Sequence, residues 1–289
     1  MEEALVGTKI VTDSTCYIPE DLLEEFDISV VSLNVLFKTE SFRELDIDKS
    51  TFYEKMEAAD EIPTSSQPSI KELQDIFEKY AKNNESVIGV FLSEDMSGTY
   101  SSANLVKNMV LENYPDADIR IIDSRSNCMQ MGFAALEGAK AAKAGESTEK
   151  IMDIIKKVIN SSRFLFVPDN LTYLKKGGRI GGAAALLGNI LQIKPILTVE
   201  DGKTTIFDKV RTKRRAVDKI VDTFMEDIKL NGLGDVIVHH INCEEEGLKL
   251  AEKISKTVGK EVRIQSIGPV IGLHVGPKAI GVVYFTLGR

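Results

Sequence analysis

Short apolar runs rich in β-branched residues alternate with longer stretches of helical spacing in the first half of the chain. The runs at residues 9–13, 29–37, 87–92 and 119–123 predict buried strands. Residues 129–144 are rich in alanine, and residues 147–160 place isoleucine and valine side chains on one face, so both stretches predict helices. Strands that alternate with helices predict a parallel α/β sheet.

The second half of the chain has strands that follow one another more directly. Strands are predicted at residues 163–167, 196–199, 204–209, 235–241 and 262–267 and around Tyr284, and helices at 171–175, 213–229 and 245–258. Asp201-Gly202 predicts a two-residue hairpin turn. We therefore expect an α/β protein of two domains. The N-terminal parallel-sheet domain would span residues 1–160, and a C-terminal domain with a mixed or antiparallel sheet would span residues 161–289.

Two serine-rich turns, PTSSQPS at 63–69 and LSEDMSGTYSSA at 92–103, each precede a helical pattern. In the first, Ser69 and Glu72 have the spacing of a capping box, with Ser65 and Ser66 just ahead of it. In the second, Ser97 stands at the position of a helix cap. Two helix N-termini flanked by hydroxyl groups can hold a carboxylate or a phosphate. The alternative is that these serines only cap helices.

Other polar motifs give weaker indications. Asp13 and Asp123 each end a predicted strand, where open α/β sheets bind their ligands. The loop at 175–182 is rich in glycine but fits neither common nucleotide-binding pattern. The small and apolar residues that follow predict a helix with a thin apolar side, which includes Gly188, Ile190 and Leu191. Close packing of that helix against the sheet is the alternative interpretation.

The three histidines predict no metal site. His239 and His240 are adjacent on a predicted strand and therefore point to opposite faces, so with Cys243 they cannot surround one zinc ion well. His274 precedes a glycine-proline turn, and at an anion site its ring could donate a hydrogen bond or a charge. A structural role is the alternative for His274.

Composition and charge argue against some classes of function and indicate a cellular location. The 289 residues carry a net charge of −8, with a pI near 5.2, which argues against binding of nucleic acid. The three cysteines form no CxxC pair, so a reducing compartment is expected. The N-terminus lacks the pattern of a secretory signal, and no apolar run has the length of a membrane span. We expect a cytoplasmic protein without a transmembrane segment.

A basic cluster stands out in this acidic chain. Its members lie within seven residues at the start of a predicted helix: Lys209, Arg211, Lys213, Arg214 and Arg215. Either they form a solvated face, or they form a docking patch for an acidic or phosphate-bearing partner.

Five motifs in sequence order resemble the DegV family of bacterial fatty-acid-binding proteins. They are VTDSTCYIP, TSSQPS, SxxxSGTYSSA, LKKGGRIGG and HVGP, and the resemblance spans residues 9–287. It implies a two-domain α/β fold that encloses one long-chain fatty acid in a tunnel between the domains, with the carboxylate at the domain junction. It also implies that a separate ATP-binding fatty acid kinase subunit phosphorylates that carboxylate for phospholipid synthesis. The protein would then be the lipid-binding subunit, with no catalytic residue, metal or cofactor of its own.

The resemblance also suggests roles for individual residues. The hydroxyls of Ser65 and Ser97 would bind the carboxylate, and His274 would lie near the same head group. By a looser correspondence with the family, Arg179 and the cluster of Arg211, Arg214 and Arg215 would face the kinase. The Gly/Ala-rich helix would form a wall of the tunnel.

Two positions depart from the family pattern, and other functions stay open. Ser65 replaces the usual threonine, and Lys278 replaces a common glycine after HVGP. The main alternative function is a hydrolase or phosphotransferase that uses Asp13, Asp123 and the serines on a phosphorylated small molecule. The sequence lacks an evident nucleophile elbow for such an enzyme. A regulatory module that docks a protein through the basic cluster is a third possibility.

Overall fold

Strands and helices alternate along most of the chain in the computed structural model, which describes residues 7–187 and 193–288. Within these ranges the strands are β1 (Thr8–Asp13), β2 (Ser29–Val31), β3 (Asn34–Leu36), β4 (Ser41–Arg43), β5 (Thr64–Ser66), β6 (Ser86–Phe91), β7 (Ile119–Asp123), β8 (Ser162–Val167), β9 (Lys194–Glu200), β10 (Lys203–Val210), β11 (Leu233–His240), β12 (Arg263–Ser266) and β13 (Ile280–Thr286). The α-helices are α1 (Glu20–Glu25), α2 (Lys49–Ala58), α3 (Ile70–Lys82), α4 (Thr99–Asn113), α5 (Cys128–Lys143), α6 (Thr148–Ser161), α7 (Thr172–Lys176), α8 (Lys213–Asn231), α9 (Glu244–Val258) and α10 (Pro269–Val275).

A four-stranded parallel sheet organises the first half, in the order β2-β1-β6-β7. Neighbouring residues of β1 face opposite sides of it: Val11 packs with α3 and α4, and Ile10 packs with α5 and α6. Both faces are therefore covered, which explains why β6 is buried at every position. The predicted parallel α/β sheet is confirmed.

A six-stranded mixed sheet organises the second half, in the order β10-β9-β8-β13-β11-β12. The pair β11–β12 is parallel and the other neighbouring pairs are antiparallel. Helices α8 and α9 cover one face, and the opposite face, with Phe164 and Phe166, turns toward the first half. The predicted mixed sheet is confirmed. At the β9–β10 turn, Asp201 (φ 48°) and Gly202 (φ 80°) both lie in the left-handed region, as a type I′ hairpin requires.

The predicted strand at residues 29–37 is wrong as a single element. Its first part, β2, belongs to the parallel sheet, whereas β3 pairs with β4 and β5 in a small antiparallel sheet. Side chains interrupt the ladder between the two parts. The Ser32 N–H donates to Glu72 Oε1 (3.0 Å), and the Leu33 N–H donates to Ser14 Oγ (3.0 Å). Backbone groups used in this way cannot pair with a neighbouring strand.

The described part of the Gly/Ala-rich segment also differs from the prediction. It forms a 3₁₀ helix at Gly181–Leu186 rather than a long α-helix, while Gly188, Ile190 and Leu191 lie outside the described residues. Gly181 has φ 49°, and a Cβ there would overlap Thr204 O of β10. The segment therefore packs closely against the edge of the mixed sheet.

The two halves of the chain share an apolar core. The ring centroids of Phe133 on α5 and Phe285 on β13 lie 5.4 Å apart within one continuous cluster of buried residues. The predicted boundary at residue 160 falls in the last turn of α6. The division into domains at 1–160 and 161–289 stays a prediction.

Candidate functional site

A cavity of about 400 Å³ lies where the two halves of the chain meet. This volume is within the range of small-molecule sites, roughly 300–1,000 Å³. Its apolar walls come from both halves and include Leu33, Leu92, Phe164, Phe166, Leu174, Val199, Ile241, Ile267, Val270 and Ile271. The cavity is therefore suited to a ligand with a long apolar part.

The two serine-rich turns converge at this cavity. Ser65 on β5 and Ser97 before α4 both line it, with Gln67 and Gly98 between them. A Cβ at Gly98 would overlap Gln67 Oε1, so the two turns approach closely there and a larger residue would displace the Gln67 side chain. The fold thus brings together two turns whose proximity the sequence alone could not show.

The caps of these helices differ in detail from the prediction. Gly98, rather than Ser97, is the N-cap residue of α4, and Ser97 Oγ accepts a bond from the Thr99 N–H (3.3 Å). Ser69 caps α3 as expected, because its Oγ accepts from the Glu72 N–H (3.1 Å). Glu72 does not complete the capping box, since its carboxylate accepts from the Ser32 N–H and from Arg43 (2.7 Å).

His274 lies beside Ser65, with 3.0 Å between His274 Nε2 and Ser65 Oγ. It belongs to the last turn of α10, a buried helix that the sequence did not predict. Burial, reinforced by the positive charge of Arg179, lowers the pKa of His274 to about 4. The ring is therefore neutral near pH 7 and carries a single N–H. His274 Nδ1 has no hydrogen-bond partner, and a Cβ at Gly177 would overlap it.

Arg179 ties the glycine-rich loop to the second serine turn. Its Nε and Nη2 groups donate to Met96 O (3.1 and 3.0 Å), and its Nη1 group donates to Gly177 O (2.8 Å). Arg179 is exposed yet lines the cavity, so it lies at the rim beside His274. The structure thus brings together Ser65, Ser97, His274 and Arg179.

The basic cluster lies apart from the cavity wall, around the start of α8. Arg211, Arg214 and Arg215 are exposed, and no ion pair within residues 7–187 and 193–288 involves them. Lys213 beside them pairs with Glu246 and donates to Lys278 O (3.0 Å), in the turn that follows α10. The cluster is thereby joined to the turn after His274, while its docking role stays a prediction.

Sequence reasoning missed several polar residues of the cavity wall, among them His239 and Asn127. His239 Nδ1–H donates to Gln265 O (2.9 Å), and His239 Nε2 accepts from the Met129 N–H (3.2 Å). Burial lowers the pKa of His239 to about 4. The predicted opposite orientation of the two neighbouring histidines is confirmed, because the His240 ring packs on Gly247 of α9. No local pattern indicated either lining residue, since each contacts the cavity only through the tertiary fold.

The aspartates at the strand ends accept hydrogen bonds from neighbouring turns instead of facing the cavity. Asp13 accepts from the N–H and hydroxyl of Thr15 (2.9 and 2.6 Å) and from the Leu92 N–H (2.8 Å). Burial raises the pKa of Asp13 to about 6. Asp123 accepts from the Arg125 N–H (2.8 Å). Neither aspartate lines the cavity.

The expected tunnel wall also needs correction. The described residues of the Gly/Ala-rich segment, 181–187, do not line the cavity, because they pack on the edge of β10. In the part of the chain that the structure describes, no group of three or more His, Cys, Asp or Glu residues could hold a metal ion. No helix in the same part is long and apolar enough to span a membrane.

Comparison with known proteins identifies the family. The family model described as "Uncharacterised protein, DegV family" matches residues 7–287. A DegV domain-containing protein of Clostridium acetobutylicum is 53% identical over 97% of this chain and 98% of its own length. The structure of DegV from Bacillus subtilis, described as a fatty acid binding protein, has a TM-score of 0.85 at 35% identity, covering 97% of this chain and 99% of its own. A stearic acid-binding protein from Eubacterium ventriosum has a TM-score of 0.86 at 29% identity, covering 96% and 98%. The resemblance inferred from the five motifs is confirmed, and this chain belongs to the DegV family.

Proposed function

We propose that the protein binds one long-chain fatty acid, with the acyl tail in the cavity and the carboxylate at Ser65, Ser97 and His274. The observation that carries this proposal is one cavity whose apolar walls end at these three polar side chains. The fatty acids bound by relatives of the same fold, described for the Bacillus subtilis and Eubacterium ventriosum proteins, support it.

The apolar tail would dominate the binding free energy. Burial of about sixteen carbons at roughly 0.8 kcal/mol per CH₂ gives a gross gain of about 12 kcal/mol. The head-group site would set the orientation through two hydroxyl groups and the neutral His274 ring, with the Arg179 charge nearby. Neutral donors hold a carboxylate without competing for its proton, which suits a site that presents the carboxylate for reaction.

Native mass spectrometry tests the head-group assignment. We expect protein purified without detergent to carry an added mass of a long-chain fatty acid, and the Ser65→Ala, Ser97→Ala double variant to carry much less. Ser101→Ala is the matched control, because Ser101 is exposed on α4 and does not line the cavity. Wild-type protein that is empty and takes up no added palmitic acid would refute the proposal.

The second part of the proposal is presentation of the fatty acid to a separate ATP-dependent fatty acid kinase in the cytoplasm. The kinase would phosphorylate the carboxylate, and the acyl phosphate would serve phospholipid synthesis. The binding protein would have no activity of its own. Arg211, Arg214 and Arg215 support this docking role, because they are exposed, without ion pairs in the described structure, and linked through Lys213 to the turn after His274. Arg179 at the rim would meet the same partner.

Charge reversal separates docking from fatty-acid binding. With a purified kinase ATP-binding subunit, ATP and palmitic acid, we expect Arg214→Glu plus Arg215→Glu to reduce acyl phosphate formation while palmitic acid still binds. Lys156→Glu plus Lys157→Glu on the exposed face of α6 is the control. Acyl phosphate formed without the kinase would refute the non-catalytic role and favour the phosphotransferase alternative. The bonds that Asp13 and Asp123 accept within the fold count against that alternative.

A further inference from the structure

The tip of the β9–β10 hairpin is bound by the first half of the chain, next to the turn that carries Ser97. Both carbonyl groups of the tip accept hydrogen bonds from that half. Gly202 O accepts from Ser93 Oγ (2.8 Å), and Asp201 O accepts from the Arg125 guanidinium. Loops of this kind usually run over the surface, so a tip with both carbonyls bound forms part of the interface between the halves.

Ser93 joins this tip to the turn that ends at Ser97. Ser93 is fully buried, and its carbonyl accepts from the N–H groups of Met96 and Ser97, both at 3.0 Å. Its hydroxyl accepts from the Asp95 N–H (3.2 Å) and donates to Gly202 O. One serine therefore closes the turn and also attaches it to the hairpin.

The contact at Gly202 leaves no room for a side chain. A Cβ there would lie 2.7 Å from Ser93 Oγ and 2.9 Å from Asp95 Oδ2. Gly202 also has φ 80°, a backbone conformation that is costly for residues with a Cβ. Gly145 has nearly the same φ, 79°, but a Cβ there would meet no atom within 4 Å. Substitutions at these two glycines can therefore separate the effect of the contact from that of backbone strain.

The second half of the chain thus holds the turn before Ser97 at two points. Arg179 donates to Met96 O, and the hairpin tip accepts from Ser93. Ser97 directly follows Met96 and lines the cavity, whereas Ser93 and Gly202 do not line it. A hydrogen bond weakens steeply when its distance or angle changes, so a displaced turn would weaken the bond from Ser97 to a carboxylate.

We propose that Ser93 and Gly202 are positioning residues for the head group of the ligand. The hairpin tip sets the place of the Ser97 hydroxyl through Ser93, without touching the ligand. This inference rests on the proposed fatty-acid function, and it extends the head-group site to a hairpin of the second half.

Two ligands with the same tail and different head groups test the proposal. Lauric acid and dodecan-1-ol are titrated by isothermal titration calorimetry into delipidated full-length protein. We expect Gly202→Ala to weaken lauric acid binding about tenfold, which is about 1.4 kcal/mol. Dodecan-1-ol binding should weaken by less than about threefold, because hydrogen bonds to a neutral group contribute less than those to a charged one. Gly145→Ala is the matched control and should leave both affinities unchanged.

A second variant acts on the exposed side of the same tip. Arg125→Met removes the donor to Asp201 O at an exposed position, so it decides the question if Gly202→Ala protein folds poorly. We expect a smaller loss of lauric acid affinity, about threefold, and no loss for dodecan-1-ol.

The acid and the alcohol together distinguish positioning from a merely structural role. Unchanged lauric acid binding by folded Gly202→Ala protein overturns the inference, and so does an equal loss for both ligands. If that variant does not fold, unchanged lauric acid binding by Arg125→Met overturns it. Failure of the wild-type protein to bind either ligand refutes the fatty-acid function itself, and the inference with it.

Discussion

Removal of the buried Glu44 carboxylate would test how α10, the helix that carries His274, is held in place. Glu44 Oε1 accepts from the Tyr17 hydroxyl and from the Val270 N–H, both at 2.8 Å, and Oε2 accepts from the Ser14 hydroxyl at 2.5 Å. Val270 lies in the first turn of α10. The carboxylate is therefore a hydrogen-bonded link between the first half of the chain and the helix that positions the head-group histidine.

The expected loss of stability follows from the number of donors left unpaired. Glu44→Ala leaves three buried donors without an acceptor, each costing about 1–3 kcal/mol, so the free energy of unfolding should fall by about 3–9 kcal/mol. Glu44→Gln keeps Oε1 for Tyr17 and Val270, and the Ser14 hydroxyl can rotate to accept from the new amide group. We expect Glu44→Gln to cost about 1 kcal/mol or less.

Urea denaturation measures both free energies of unfolding, and palmitic acid titration reports the position of His274. The Ala variant should lose palmitic acid affinity together with stability, and the Gln variant should keep most of both. Equal stability of the two variants would refute the assignment of Glu44 as the acceptor that holds α10.

The pH dependence gives an independent check on Glu44. Burial raises the pKa of Glu44, against the opposing effect of hydrogen bonds from Ser14, Val270 and Tyr17. The folded protein therefore binds this proton more tightly than the unfolded chain does, so the contribution of Glu44 to stability rises as the pH falls through the raised pKa. Relative to Glu44→Gln, which cannot titrate, the wild-type protein should gain stability as the pH falls through the raised pKa toward the ordinary glutamate value of 4.5. The opposite slope would contradict the raised pKa.

Three further predictions follow from backbone conformation, packing and burial. Lys278 has φ 65°, so Lys278→Gly should raise the free energy of unfolding by about 0.5–1 kcal/mol, and an unchanged or lower thermal midpoint would contradict this. Gly177→Ala should lower palmitic acid affinity at least tenfold in calorimetry, because the methyl group overlaps His274 Nδ1, whereas Gly182→Ala has an ordinary 3.8 Å contact and should have little effect. His239 should not titrate by NMR until about pH 4. Because the unfolded chain takes up this proton near pH 6.5, His239 should destabilise the fold as the pH falls from 6.5 to 4, and an NMR midpoint near 6.5 would be inconsistent with its burial.

The elements that the sequence predicted correctly are those with strong local signals. The strand that became β6 is a short run of apolar residues bounded by polar ones, and Asp201-Gly202 has few alternatives to a type I′ turn. Ser69 precedes a regular amphipathic pattern, so the start of α3 was evident. In each case one short stretch of chain contains all of the information that fixes its conformation.

The missed elements depend on distant residues. Helix α10 has the sequence PVIGLHV and is buried at six of its seven positions, so no polar face marks its helical period. The break between β2 and β3 depends on Glu72 and Ser14, which are distant in sequence and accept hydrogen bonds from the N–H groups of Ser32 and Leu33. The apolar alternation of residues 29–37 gave no sign of these bonds. The placement of His274 next to Ser65, 209 residues away, required both of these missed features.

The two halves of the chain are joined by hydrogen bonds at the cavity mouth and by apolar contacts deeper in the fold. This difference affects how a ligand would enter. At the cavity mouth the links are hydrogen bonds: Ser65 with His274, and Arg179 with Met96 O. Each contributes only about 0.5–1.5 kcal/mol net, because water can replace either partner. Deeper contacts such as Phe133 with Phe285 are apolar, and their separation would expose buried surface at roughly 25 cal/mol per Å². Opening at the mouth therefore costs far less than separation of the halves, so the fatty acid of the proposed function would exchange through the polar end while the apolar core stays closed.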